Sequence, residues 1–259
     1  MAGALADAVR AAGDVALRTF RQSLRQWTKG ASSSPVSEAD IAVNDFLRQR
    51  LLGLAAGYGW LSEETEDDPA RLEAENVWIV DPIDGTRAYL AGQEDWTISV
   101  ALTGHGRPVL GAIFAPVTQE LFLAAAGSGA TRNGAPIAAS SGSGVAGVKV
   151  VGPKRHLNWL AGLEANAIPM PRIGSIALRL ARVAQGELDV AFAGGNSHDW
   201  DLAAADLLVH EAGGALTTLA GDVLTYNGSE LAHGALLAAG QDRHAALIGL
   251  VRDRAAELA

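Results

Sequence analysis

Three groups of carboxylates in this chain sit at the ends of apolar stretches rather than along polar faces. They are Ser62-Glu63-Glu64, Asp81-Pro82-Ile83-Asp84-Gly85-Thr86 and Asp199-Trp200-Asp201. Val77-Trp78-Ile79-Val80 delivers Asp81 to the end of a buried strand, and Pro82 is expected to stop the ladder there and fix φ. Asp81 and Asp84 can point to the same side of a tight turn. Asp84-Gly85-Thr86 can open a short helix whose first N–H groups lack carbonyl partners, and such an end binds an anion, usually phosphate. A carboxylate pair beside exposed N–H groups suits a divalent cation bridging to a phosphate. A Pro/Asp/Gly turn with an Asp N-cap explains the same hexapeptide as well.

The other acids also have ordinary explanations when taken singly. The loop Glu63 to Asp68 is a charge run, and such runs are usually solvated, although Trp60-Leu61 puts Glu63 at a strand end. Asp201 opens a helix, where the macrodipole favours an acid. Ser37-Glu38-Ala39-Asp40 is a capping-box pattern. Together they say more. Hard ions such as Mg2+ take carboxylate and carbonyl oxygens, and a pair of such ions needs one bridging carboxylate with several terminal ones. Glu63, Asp81, Asp84 and Asp201 supply that set. Zinc is unsupported, since the six histidines form no HExxH pattern and there is no cysteine.

Composition narrows the class. The chain has 259 residues, a formal net charge of −9, 49% hydrophobic residues and no cysteine. Disulfides, thiolate zinc sites, iron–sulfur clusters and a cysteine nucleophile are excluded. The charge argues against a nucleic-acid polymer as partner. The length suits one large domain or two packed halves. Asp7 and Asp14 interrupt the apolar pattern of residues 1–20, which is wrong for a signal peptide, and no stretch approaches the ~18 apolar residues of a membrane span. A cytoplasmic location is expected.

The elements that must position the acids follow from periodicity. Leu5 to Trp27 carries a helical stripe, and Lys29 to Pro35 is a connector. Ser37 to Leu54 reads as a second helix, and Tyr58 to Leu61 as a short segment before the acidic loop. Val77 to Val80, Trp96 to Leu102, Val109 to Phe114 and Glu120 to Ala124 read as strands, with Asn133-Gly134 as a hairpin turn. Ala139 to Gly147 is Ser/Gly-rich and marks a boundary. Beyond it come a strand Val148 to Val151, a helix near His156 to Glu164, a strand near Met170, a helix Ile176 to Gln185 and a strand Leu188 to Phe192. A helix Asp201 to Ala212, closed by Gly213-Gly214, a strand near Leu236 and a helix Arg243 to Ala256 complete the chain. Residues 1–140 read as an α+β half carrying most of the candidate ligands, and residues 141–259 as an α/β half closing the site.

In this order the motifs resemble those of the inositol monophosphatase superfamily of Mg2+-dependent, lithium-sensitive phosphatases. The matching positions are Asp40, Glu63-Glu64, Asp81-Pro82-Ile83-Asp84-Gly85-Thr86, and Trp200-Asp201 with Gly213-Gly214 after residues 202 to 212. The resemblance implies a five-layer αβαβα sandwich. It implies that Glu63, Asp81 and the Ile83 carbonyl hold one Mg2+, and that Asp81, Asp84 and Asp201 hold another. A third ion, or Mn2+, is compatible with such ligands. It further implies that Gly85 and Thr86 bind phosphate, that Thr86 and Asp40 form a dyad which, with Glu63, serves the attacking water, and that no phosphoenzyme forms. Asp84, Asp201, Ser175 and His198 fall on the substrate side.

The substrate is narrowed by what is missing. Inositol monophosphatases carry an inositol-contacting Glu seven residues before the Trp-Asp aspartate, where this chain has Gly194. Leu61-Ser62-Glu63-Glu64, Asp84-Gly85-Thr86-Arg87, Asp95-Trp96 and Gly221-Asp222-Val223-Leu224-Thr225-Tyr226-Asn227 are similar to the 3′(2′),5′-bisphosphate nucleotidase branch, although Arg87-Ala88-Tyr89 departs from its usual Lys/Arg-Glu-Phe. The resemblance therefore implies hydrolysis of 3′-phosphoadenosine 5′-phosphate to AMP and phosphate. An inositol- or sugar-phosphate monophosphatase is the alternative, and a non-catalytic regulator on the same fold is the rival from another class. A small phosphorylated molecule is the expected partner, with the chain a monomer or homodimer.

Overall fold

The computed structural model describes residues 1–29, 34–162 and 166–252. Helix α1 spans Ala2–Leu17 and buries Leu5, Val9, Ala12 and Ala16, the predicted stripe. It ends well before Trp27, because strand β1 (Gln26–Lys29) pairs antiparallel with β2 (Ser34–Ser37). The expected connector over 29–35 is thus a pair of strands, and its residues 30–33 lie outside the described residues. Ser37 then caps α2 (Glu38–Leu52).

Strand β3 (Gly59–Ser62) and β4 (Asn76–Asp84) run parallel, and between them lies a 3₁₀ turn, Pro69–Glu73. Helix α3 (Thr86–Leu90) follows β4 directly. Strands β5 (Thr97–Gly104), β6 (Arg107–Ala115), β7 (Glu120–Ala125), β8 (Ala130–Arg132) and β9 (Ala135–Pro136) continue antiparallel, giving a seven-stranded sheet in the order β3-β4-β5-β6-β7-β8-β9. Asn133 and Gly134 both take positive φ (49° and 82°) in the β8–β9 turn, as a tight hairpin requires.

The second half supplies β10 (Lys149–Val151), α4 (Lys154–Gly162), β11 (Ile168–Pro169), α5 (Ile176–Ala184) and β12 (Val190–Ala193). Then come β13 (Ser197–His198), α6 (Asp199–Glu211), β14 (Gly214–Thr218), β15 (Ala232–His233), β16 (Leu236–Gly240) and α7 (Gln241–Val251). The predicted helices over 156–164 and 243–256 reach residues 163–165 and 253–256, which lie outside the described residues. A five-stranded sheet runs β11-β10-β12-β16-β14. Among the described residues, no helix is long and apolar enough to cross a membrane.

Three apolar clusters define the layering. One joins α1 and α2 to the outer face of the large sheet, through Leu5, Val43, Trp78, Val80 and Phe114. The second joins the inner faces of both sheets around α5 and α6, through Ile79, Ala101, Leu180, Leu202 and Leu236. The third lies beneath α4 and α7, through Leu160, Phe192 and Leu247. This is the αβαβα sandwich. Strand β4 shows why its sequence carries no polar alternation. Val77 and Ile79 face the α5/α6 layer while Trp78 and Val80 face α1/α2, so both faces are covered. Asp81 continues the Val77–Ile79 face and is thereby aimed at the seam with α6.

The Ser/Gly-rich boundary is held by one buried cation. Arg243, 7% exposed, donates Nε to Gly144 O (3.0 Å) and its guanidinium to Ser140 Oγ (2.8 Å) and Ser141 O (3.0 Å). Arg243→Ala leaves these carbonyls without a donor, and urea unfolding is expected to show a loss of about 2–3 kcal/mol. Arg243→Lys, lacking the fork, is expected to recover only part of it.

Candidate active site

The bend that carries the acids differs from a strand that simply ends. Pairing runs to Asp81↔Ser99 and resumes at Asp84↔Thr97, so Pro82 and Ile83 oppose a single residue. Pro82 therefore makes a bulge instead of terminating β4, as its missing N–H allows. The bulge buries Ile83 and turns both flanking acids inward. Asp81 Oδ1 accepts the Ile83 N–H (3.0 Å), while the Ile83 carbonyl accepts the Thr86 hydroxyl (3.0 Å). Gly85 follows at φ +94°, and a Cβ there would meet Ser175 N at 3.1 Å, so both conformation and space call for glycine.

Asp84 closes the gap to the second half. Its carboxylate accepts Ser175 Oγ (2.5 Å), Ile176 N (3.1 Å) and Ala177 N (2.6 Å), and so sits on the N-terminus of α5. Ser175 also caps α5 by accepting Leu178 N (2.8 Å) and bonds Thr97 Oγ1 (2.9 Å). It is fully buried behind Asp84, and its hydroxyl is committed there. Asp201 lies in the first turn of α6 and accepts the His198 N–H (2.6 Å) in a capping box.

One oxygen from each of Asp81, Asp84 and Asp201 lies within 4.8 Å of the others. Burial is the main reason all three carboxyls are raised. Repulsion adds to this, first from Glu63 and then from Asp84 and Asp201 for Asp81, and first from Asp84 for Asp201, while Asp84 reaches about 6 despite its three donors. An all-oxygen, mutually repelling donor set fits a hard divalent cation.

Glu63 lines the same cleft but stands apart from that trio. Its Oε1 is 3.3 Å from Lys29 Nζ, which also donates to its backbone carbonyl (2.8 Å) and to Glu64 Oε1 (2.5 Å). Lys29 belongs to the site and escaped the sequence reading. Burial lowers its pKa, yet Glu63 and Glu64 outweigh this and hold it above its usual value. Glu64 is correspondingly no solvated loop acid. Only 3% of its side chain is exposed, and burial pushes it to about 7.

Asp40 divides its two oxygens between different partners. Oδ2 accepts Ser37 N (2.8 Å) and Ser37 Oγ (2.6 Å) in the capping box, and Oδ1 accepts Thr86 Oγ1 at 3.1 Å. Burial raises its pKa against these donors. His198 stacks on Trp200 at 4.7 Å and 3° between planes, and both rings line the cleft. The cleft is open, encloses about 990 Å3 and also takes in Arg87, Arg172 and Asn196.

The model of the inositol monophosphatase family matches residues 1–256. Inositol-1-monophosphatase of Rhizobium meliloti (strain 1021) is 36% identical over 228 residues, covering 84% of this chain and 85% of that protein. Nus factor SuhB of Xylella fastidiosa (strain Temecula1 / ATCC 700964) is 33% identical, covering 81% and 78%. The solved extragenic suppressor protein suhB from Bartonella henselae superposes with a TM-score of 0.82 at 28% identity, covering 97% of this chain and 98% of that one.

The raised acids set a pH dependence for the protein with divalent cations chelated. Its folded state holds protons that the unfolded chain releases at lower pH, so this stabilisation is present below the ordinary carboxylate range and is lost as pH rises through about 6. The thermal midpoint of chelated protein is expected to fall between about pH 5 and about pH 7.5, and Asp84→Asn to flatten the fall. A midpoint that rises over this window contradicts the assignment.

Proposed function

This chain belongs to the inositol monophosphatase family, whose members are metal-dependent phosphoric monoester hydrolases, and from that premise we propose a Mg2+-dependent phosphatase acting on a small molecule that carries a second anionic group, a 3′(2′),5′-bisphosphate nucleotide such as 3′-phosphoadenosine 5′-phosphate. The observation that carries this reading is that Arg87 and Arg172 line the same cleft as the acids. Gly194 supports it, since no acid stands where inositol enzymes contact the ring.

In this reading Glu63, Asp81 and the Ile83 carbonyl would hold one Mg2+, and Asp81, Asp84 and Asp201 would hold another. When bound, Mg2+ neutralises the carboxylates and the incoming phosphate and makes water more acidic. The chain's own groups do the rest. The N–H groups at Gly85 and Thr86 orient the phosphate. Thr86 Oγ1 takes a proton from the attacking water while passing its own to Asp40 Oδ1, 3.1 Å away. Burial raises the pKa of Asp40 and makes it a stronger base than an ordinary carboxylate. His198 and Trp200 form one wall against which the rest of the substrate rests.

The second reading, an inositol 1-phosphatase, is favoured by the identity to curated proteins of that name. The two are separated by kcat/KM for bisphosphate nucleotide against inositol 1-phosphate. Asp84→Asn is expected to abolish both activities. Arg172→Ala and Arg87→Ala are expected to raise KM for the bisphosphate by about tenfold, worth ~1.4 kcal/mol, and to leave a monophosphate unaffected. A preference for inositol 1-phosphate, with both substrates affected alike by the arginine changes, would replace the first reading by the second.

A further inference from the structure

Asp199 is an acid the proposed chemistry does not use. It is fully buried in the first turn of α6, two residues before Asp201. A buried carboxylate costs several kcal/mol unless its oxygens are satisfied. Here both are. Oδ1 meets His233 Nε2 at 2.7 Å, and Oδ2 accepts the Asn227 N–H at 2.6 Å. The backbone around it is tied to the same segment. Asp199 N donates to Leu231 O (3.0 Å), Asn196 N donates to His233 O (3.0 Å), and β13 pairs with β15 through Ser197↔His233.

That segment is itself anchored at three further places. Tyr226 N donates to Gly106 O (3.0 Å) in the β5–β6 turn, Tyr226 Oη donates to Asp206 (3.0 Å) further along α6, and Arg71 of the 3₁₀ turn donates to Asn227 Oδ1 (2.7 Å). Residues 226–233 therefore form a strap across the start of α6. Positions two apart on a helix lie about 200° around its axis. Fixing Asp199 against the strap thus turns Asp201 the other way, toward Asp81 and Asp84. We propose that Asp199 and His233 are positioning residues, a buried acid and its half-buried histidine that clamp the first turn of α6 so that Asp201 is presented to a divalent cation. Loosening the clamp lowers metal affinity while the carboxylates themselves stay in place chemically. The inference rests on the metal-dependent reading above.

The test is Mn2+ binding followed by the electron paramagnetic resonance signal of the free ion, with far-UV circular dichroism and thermal midpoint as folding controls. His233→Ala is expected to weaken Mn2+ binding by about 10–100-fold, the effect typical of losing a partner behind a metal ligand. His233→Gln, which keeps an N–H within reach of Asp199, is expected to stay within about threefold of wild type. If the alanine variant does not fold, the near-isosteric Asp199→Asn carries the same expectation. Wild-type-like binding by a folded His233→Ala or Asp199→Asn overturns the proposal, as does a folded His233→Gln no better than alanine. Failure of the wild type to bind Mn2+ at all overturns the metal-dependent reading instead, and the clamp with it.

Discussion

Three clustered carboxylates that repel one another, two buried and one half-buried, set the terms for the rest of this molecule. Unit charges about 4 Å apart interact by ~4 kcal/mol at an effective dielectric near 20. Asp81, Asp84 and Asp201 fall in that range, and Asp81 and Asp84 are themselves buried. A helix N-terminus offsets typically 0.3–1 kcal/mol per acid, and two are enlisted here, α5 for Asp84 and α6 for Asp201. That does not balance the repulsion against a total stability of about 5–15 kcal/mol. Protons or cations must make up the difference. The elevated carboxyls show the first outcome, and the oxygen-only donor set suits the second.

The fold concentrates its precision where those acids are held. A bulge in β4 aims two of them, and the start of α6 brings the third across the seam. Several polar atoms serve architecture and site together. Asp40 gives one oxygen to the cap of α2 and the other to Thr86. Ser175 caps α5 and donates to Asp84. The structural and the functional explanation of such a residue are not rivals, because the bond that makes the cap also orients the polar atom that meets a cleft residue, Thr86 or Asp84.

The acidic motifs were legible in the sequence because their chemistry lies in residue type and short spacing. The strands flanking them were legible because β4 carries the continuous apolar run Val77–Val80 and β5 sets Ile98, Val100 and Leu102 at alternate positions. What escaped depends on partners distant in the chain. The stripe from Leu5 continues past Leu17 in sequence, yet Trp27 belongs to a strand because residues 34–37 lie beside it. Pro82 suggests an end to β4, but the ladder resumes because Thr97 is there to receive Asp84. Gly213-Gly214 signals only the end of α6, whereas β14 exists because β16 lies beside it. Lys29 and His233 carry no motif at all. Each matters through an acid more than thirty residues away, at Glu64 and Asp199 respectively.

The central claim is that the three clustered carboxylates exist to hold a divalent cation. Anomalous scattering from crystals soaked in Mn2+ tests it most directly. The account predicts a peak bounded by Asp81, Asp84 and Asp201 that is lost in Asp84→Asn. Mn2+ bound only elsewhere, or the three acids still clustered with no ion among them at saturating Mn2+, would contradict it.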